Sequence, residues 1–161
     1  MVDMAKKIRK SCASDLLPDE DIVAGTFGQP LGSFKKQVAF GAVGGIIGSI
    51  AGEKLAQRDR ADNPEQIENS VASTIPEGKA VIGVSNQRLL FFGHSTMSGK
   101  PTDLKAAIPF HEVRGFDANH GRLKSELTVT FADGSARAFE VVKAGKPAQF
   151  SDAMESALAS V

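Results

Sequence analysis

The sequence predicts a mainly β domain of the α+β class, with short antiparallel strands in a small barrel or sandwich and a helix near each end. Between residues 79 and 142, short apolar segments alternate with turn-forming residues. The Asp133–Gly134 pair lies in one of these turns and is a strong local signal for a hairpin. The C-terminal segment places Phe150, Met154 and Leu158 at helical spacing, so it predicts a helix whose apolar stripe needs a surface to cover.

The first predicted element is a short basic helix over residues 3–13. Met4, Ile8 and Cys12 recur at a spacing of four among lysines and an arginine. Such a helix either packs on the domain or anchors the chain at a membrane surface, and its thin apolar side favours light packing on the domain. Pro18 ends the helical region, and the alternation in residues 21–27 predicts the first strand.

An unusual glycine-rich stretch, VAFGAVGGIIGSIAG, occupies residues 38–52 and carries no charged residue. On a helix its glycines would form one smooth band, and four larger apolar side chains would form another face. Each glycine costs a helix roughly 0.5–1 kcal/mol relative to alanine, so close packing would have to compensate. The candidate membrane or oligomer contact consists of Phe40, Gly41, Val43, Gly44, Gly45, Ile47, Gly48, Ile50 and Gly52.

Three structures remain open for this stretch. As a helix it would be about 22 Å long, shorter than the hydrocarbon core of about 30 Å, so a single membrane span is not predicted. It is a helix buried against the barrel or a second copy, a segment that inserts shallowly into a bilayer, or a flexible glycine loop. A nucleotide-binding loop is disfavoured because the G-x-G-x-x-G pattern and the Walker lysine are absent.

The segments after this stretch predict one more helix and then strands. A cap residue and a proline at residues 63–64 indicate a helix start, and Ile67, Val71 and Ile75 give it one apolar stripe. Pro109 is expected at a sheet edge or a strand end because it cannot donate a ladder hydrogen bond. The predicted strands cover residues 79–85, 88–94, 104–110, 112–118, 125–131 and 136–142.

Three stretches resemble the bacterial pleckstrin-homology-like domains, which are related in fold to pleckstrin-homology (PH) and GRAM modules. They are LLPDEDIVA at 16–24, VIGVSNQRLLFFG at 81–93, and the segment from AAIPF to AFEV at 106–141. The resemblance implies a bent antiparallel barrel of about seven strands, capped by the C-terminal helix. It divides the chain into an N-terminal helix, residues 1–14, and a PH-like domain, residues 15–160, which an insert at 30–75 interrupts.

The resemblance does not extend to a phosphoinositide site. PH domains that bind inositol phosphates use a lysine near the end of the first strand and a basic-x-arginine pattern in the second. Here the first strand has no lysine, and the following hairpin offers only Arg88 beside neutral neighbours. Arg88 is therefore expected to be structural, with its head tied to a backbone carbonyl or an acid.

The sequence contains no residue set that commits it to a reaction. His94, His111 and His120 are scattered, so neither a metal nor another cofactor is predicted. The single cysteine, Cys12, excludes an intrachain disulfide and is expected to be a structural thiol. Equal numbers of acidic and basic residues, 19 each, disfavour a nucleic-acid partner.

The predicted function is a non-catalytic interaction module that binds a protein partner or a membrane surface. The alternative is a self-associating or membrane-associated structural protein that assembles through the glycine-rich stretch, and a small-molecule enzyme is a weaker third. Lys100, Lys105, Arg122 and Lys124 form a candidate basic rim, unless they are simply solvated hairpin tips. The predicted location is the cytoplasm or the inner face of the membrane.

Overall fold

The computed structural model describes residues 3–31 and 70–161, which form seven antiparallel strands and two α-helices. The glycine-rich stretch and the predicted helix start at 63–64 lie outside these residues. Helix α1 is Met4–Ser11 and helix α2 is Pro147–Ala159. The strands are β1 Ile22–Pro30, β2 Ala80–Ser85, β3 Arg88–His94, β4 Pro101–Pro109, β5 Val113–His120, β6 Lys124–Phe131 and β7 Ala136–Val142.

Strand β1 joins the two halves of the sheet. Its first part pairs with β2 between Ile22 and Gly28, and its last two residues, Gln29 and Pro30, pair with β7. The strand order is therefore β4-β3-β2-β1-β7-β6-β5. No ladder joins β4 to β5 within the described residues, so the sheet is open and these two strands are its edges.

The main core lies between the two halves of the sheet and under α2. Strand β6 alternates as predicted, with Leu127, Val129 and Phe131 buried and the residues between them partly exposed. Phe150 and Met154 of α2 are buried in the same core. The apolar stripe of the C-terminal segment therefore covers the core, as the sequence predicts.

Helix α1 covers a second, smaller core on the other face of β1, β2 and β3. Ile8 and Cys12 are both 0% exposed there. Gly25 of β1 allows the close approach, because a Cβ at this position would lie 2.9 Å from the Ala5 amide nitrogen. The helix packs more closely than its thin apolar side predicts. Apolar layers on both faces also explain why all six residues of β2 are buried.

The mainly β architecture with a helix at each end confirms the predicted fold class, with an open sheet in place of a closed barrel. Pro109 is the last residue of the edge strand β4, as expected.

Two boundaries differ from prediction. Strand β4 begins at Pro101, three residues before the predicted start at residue 104, and Val71–Thr74 forms a 3-10 turn where the apolar stripe predicts a continuing helix. That turn is set by side chains, because Asp133 and Ser135 of the β6–β7 turn accept hydrogen bonds from its first two amides.

Candidate functional site

Arg88 clamps the loop before β1 to the β2–β3 turn. Its guanidinium donates to both carboxylate oxygens of Glu20 at 3.0 Å and to the Asp15 carbonyl at 3.1 Å. Ser85 donates a further hydrogen bond to Glu20 at 2.6 Å, and the Leu17 amide donates another at 2.7 Å. Two of the stretches that carry the family resemblance are thus joined by one bidentate ion pair.

This clamp confirms that Arg88 is structural. The Glu20 side chain is 0% exposed and that of Arg88 is 15% exposed. Burial opposes ionisation of Glu20, but the hydrogen bonds from Arg88, Ser85 and the Leu17 amide outweigh it and hold the Glu20 pKa below its usual value. The guanidinium is therefore occupied, and Arg88 does not offer it to a lipid phosphate.

The four residues of the candidate basic rim lie on the two edge hairpins. Lys100 is in the β3–β4 loop, and Lys105 on β4 pairs with Asp103 at 2.6 Å. Arg122 is exposed in the three-residue β5–β6 turn. Lys124 begins β6, where it forms an ion pair with the fully buried carboxylate of Glu140 and lies 3.6 Å from Glu126. The two hairpins contain β4 and β5, which lie at opposite ends of the strand order, and the rim stays a prediction.

The cysteine and the histidines occupy separate places. Cys12 donates its thiol to the Thr102 carbonyl, and burial, together with Asp15 and Asp103, raises its pKa to about 11, as suits a structural thiol. His94 packs edge-on against Phe27, and His120 shares a hydrogen bond of 2.8 Å with Ser125. The described part of the chain holds no cluster of three or more histidine, cysteine, aspartate or glutamate side chains able to bind a metal.

A small polar cleft of about 170 Å³ lies where the N-terminal ends of α1 and α2 meet β1. Its charged lining residues are Asp3, Arg9 and Lys146. The Asp3 carboxylate already accepts a hydrogen bond from the Lys6 amide and so caps α1, and Arg9 forms an ion pair with Asp21 at 3.0 Å. Two of the three charged lining residues of the cleft are therefore already engaged. Among the described helices, none is long and apolar enough to pass through a bilayer.

Edge strand β4 is protected against pairing with another strand. Proline stands at both ends, Pro101 and Pro109, and the register with β3 shifts twice. The Asp103–Lys105 pair adds charge, and the thiol of Cys12, which caps the C-terminal end of α1, donates a hydrogen bond to the Thr102 carbonyl. Prolines, register shifts, charges and a covering helix are the usual means by which proteins protect a sheet edge.

Edge strand β5 has fewer of these protections. It contains no proline, and its one register shift, between Val113 and Gly115, lies at its beginning. The Gly121 amide donates to the Lys124 carbonyl, which makes these two residues a hydrogen-bonded pair. By the alternation of an antiparallel ladder, Asp117 and Asn119 then point their N–H and C=O groups toward β6. The N–H and C=O groups of the alternate residues, Phe116, Ala118 and His120, therefore point away from β6.

We call these outward-pointing groups, together with the half-buried side chains next to them, the β5 edge surface. Helix α2 packs against β5, with the rings of Phe116 and Phe150 in edge contact at 6.5 Å between centroids. Polar and charged side chains line the outer face of the strand at Asp117 and Asn119. The backbone groups of the surface belong to Phe116, Ala118 and His120, and its apolar side chains are those of Phe116, Ala118, Ala153, Ala157 and Leu158.

This surface was not predicted from the sequence. The strand itself was expected over residues 112–118, but its place at an edge depends on which strands pair. The polar exposed positions along it, Asp117, Asn119 and His120, are a weak signal of an edge, since central strands of this sheet are far more apolar.

Neither the models of known protein families nor the curated protein sequences gave a match to the chain. Among solved structures, the chain is similar to a DUF1696-family protein with a pleckstrin-homology domain from Shewanella loihica PV-4. The two are 9% identical, the superposition has a TM-score of 0.48, and it covers 98% of this chain and 94% of the other. The architecture described above follows from the strand pairing of this chain itself.

Proposed function

We propose that the protein is a non-catalytic interaction module that binds an extended protein segment at the β5 edge surface. The observation that carries this proposal is the contrast between the two edges, since β4 is protected and, among residues 3–31 and 70–161, no strand pairs with the outer side of β5. An added strand would hydrogen-bond to the outward backbone groups of β5, and its alternate side chains would lie beside α2. The main-chain hydrogen bonds would give affinity, and the apolar side chains would give selectivity.

A peptide titration tests this proposal. The isotopically labelled protein, at a concentration too low for self-association, is mixed with a synthetic peptide of alternating valine and threonine with a lysine at each end. We expect the amide signals of Phe116, Ala118 and His120 to shift and their hydrogen exchange to slow. The matched control is the same peptide with its alternate backbone nitrogens methylated, which removes the donors that strand pairing needs.

A protein variant completes the test. Ala118→Pro removes one outward-pointing N–H and leaves the ladder with β6 intact, because proline is tolerated at such a position of an edge strand. The variant should keep a cooperative thermal transition and lose the response to the peptide. Shifts that spread over other strands, or a response that survives Ala118→Pro, would contradict binding at the β5 edge surface.

Attachment to a membrane surface is the second candidate. Strands β1 and β3 are both antiparallel to β2, so they end on the same side of the sheet. The chain enters residues 32–69 from that end, and the β3–β4 loop there carries Met97, which is 97% exposed, and Lys100. An exposed apolar tip beside a basic residue favours an interfacial contact.

Co-sedimentation with liposomes tests this candidate. Anionic and neutral vesicles are compared for the full chain, for the chain lacking residues 33–62, and for Met97→Ser. Membrane attachment predicts that the full chain pellets with vesicles, and that the deletion or the Met97 change reduces the pelleted fraction. If the full chain stays in the supernatant with both kinds of vesicle, this candidate is wrong.

A further inference from the structure

We infer that the partner of the β5 edge surface is a second copy of this chain, paired β5 to β5 in antiparallel fashion about a two-fold axis. This inference rests on the proposed function and names its occupant. It depends on which β5 residues would face one another across such an axis, since an isologous contact must be complementary to itself.

One register satisfies all outward-pointing backbone groups of the strand. With the axis at Ala118, Ala118 lies opposite the Ala118 of the second copy and Phe116 lies opposite His120. These are the residues whose N–H and C=O groups point away from β6, so each opposing pair can exchange two hydrogen bonds. Moving the axis by one residue in either direction shortens the ladder.

The side chains are complementary in the same register. On the outer face, Asp117 lies opposite Asn119 of the second copy, so a carboxylate meets an amide donor twice. On the inner face, the two Ala118 side chains lie opposite each other at the axis, and on each side of them Phe116 of one copy lies opposite His120 of the other. Aromatic cross-strand pairs of this kind are favourable. An axis at Asp117 would instead set two carboxylates directly opposite each other, which destabilises a sheet.

The charge of the whole chain also permits this contact. Its formal net charge is zero, so two copies approach without net repulsion. The register shift at Val113–Gly115 and the turn after His120 limit the flat part of the edge to a short stretch. Because short strand contacts bury little surface, we expect a weak dimer that forms with rising concentration.

Sedimentation of the full chain over a wide concentration range tests the inference. The mass should rise from monomer to dimer and no further, since pairing uses up the edge. Asn119→Asp should weaken dimerisation about tenfold, because it places two carboxylates opposite each other at two symmetric positions. Thr102→Asp, which adds the same charge on the other edge strand, is the matched control and should leave the dimer unchanged.

A charge exchange then tests the register itself. The double variant Asp117→Asn with Asn119→Asp restores one carboxylate opposite one amide and should recover the dimerisation of the original chain. A dimer that is unaffected by Asn119→Asp, or that the exchange does not restore, would place the contact on another surface and overturn the inference. A chain that stays monomeric at every concentration would also overturn it, while the peptide titration would still decide whether the β5 edge surface binds protein.

Discussion

Arg88 holds together two loops that lie far apart in the sequence. The loop of residues 15–21 makes further contacts with the β2–β3 turn, where Asn86 donates to the Asp19 carbonyl and accepts the Asp21 amide. The ion pair with Glu20 forms the buried centre of these contacts. A buried carboxylate tolerates this position only while its hydrogen-bonding partners are present.

Removal of the arginine should therefore be costly. Arg88→Ala leaves the Glu20 carboxylate buried without its cation, and we expect a loss of about 3–5 kcal/mol in the free energy of unfolding. Urea denaturation measures this loss. Arg122→Ala, at an exposed turn, is the matched control and should change stability by less than about 0.5 kcal/mol. A similar small change for both variants would show that the clamp does not stabilise the fold.

Stability should also depend on pH through Glu20. Its pKa is lower in the folded protein than in the unfolded chain, so folding is favoured above the unfolded pKa. This stabilisation should disappear as the pH falls through the acidic range toward the folded pKa. Urea denaturation at neutral and acidic pH measures the effect, and Glu20→Gln should flatten this part of the pH dependence. An equal acid loss in that variant would assign the dependence to other carboxylates.

At the scale of elements, the two helices act on different faces of one sheet. Helix α2 covers the main core with Phe150 and Met154, and α1 covers the smaller core with Ala5 and Ile8, followed by its cap residue Cys12. The close contact at Gly25 makes α1 part of the packing of the sheet. Cys12, the cap residue of α1, also donates a hydrogen bond to the Thr102 carbonyl of β4. The protection of the β4 edge therefore depends in part on α1.

The contribution of α1 can be measured by a truncation in its buried face. Ile8→Ala should lower the free energy of unfolding by about 2–5 kcal/mol, because it opens a cavity between α1 and the sheet. Lys6→Ala, on the exposed side of the same helix, keeps the helix propensity and should have little effect. Thermal or urea denaturation compares the two. Equal stability of both variants would mean that α1 is only loosely attached.

At the scale of the whole molecule, the sequence predicts the strands well because their patterns are local. Leu127, Val129 and Phe131 alternate, and Phe150 and Met154 repeat at helical spacing, so each segment by itself indicates its structure. The role of Arg88 was also predictable, since a lone arginine among neutral neighbours lacks the pattern of a phosphate site. Its acidic partner, Glu20, was not identified because it lies 68 positions away.

The β5 edge surface could not be predicted in the same way. Whether a strand is central or at an edge depends on long-range pairing, and β1 pairs with both β2 and β7. Only this double pairing puts β4 and β5 at the two ends of the strand order. The direction of the Ala118 backbone groups also follows from a detail of the β5–β6 turn. The hydrogen bond from the Gly121 amide to the Lys124 carbonyl fixes which residues of β5 form hydrogen-bonded pairs with β6.

Amide hydrogen exchange along β5 tests the central claim most directly, with the protein dilute enough to be monomeric. An open edge predicts slow exchange at Asp117 and Asn119, whose amides bond to β6, and fast exchange at Phe116, Ala118 and His120. A partner strand should then slow the second group and leave the first unchanged. Uniform slow exchange of all five amides in the dilute protein would show that the edge is already covered, and would contradict an open binding surface.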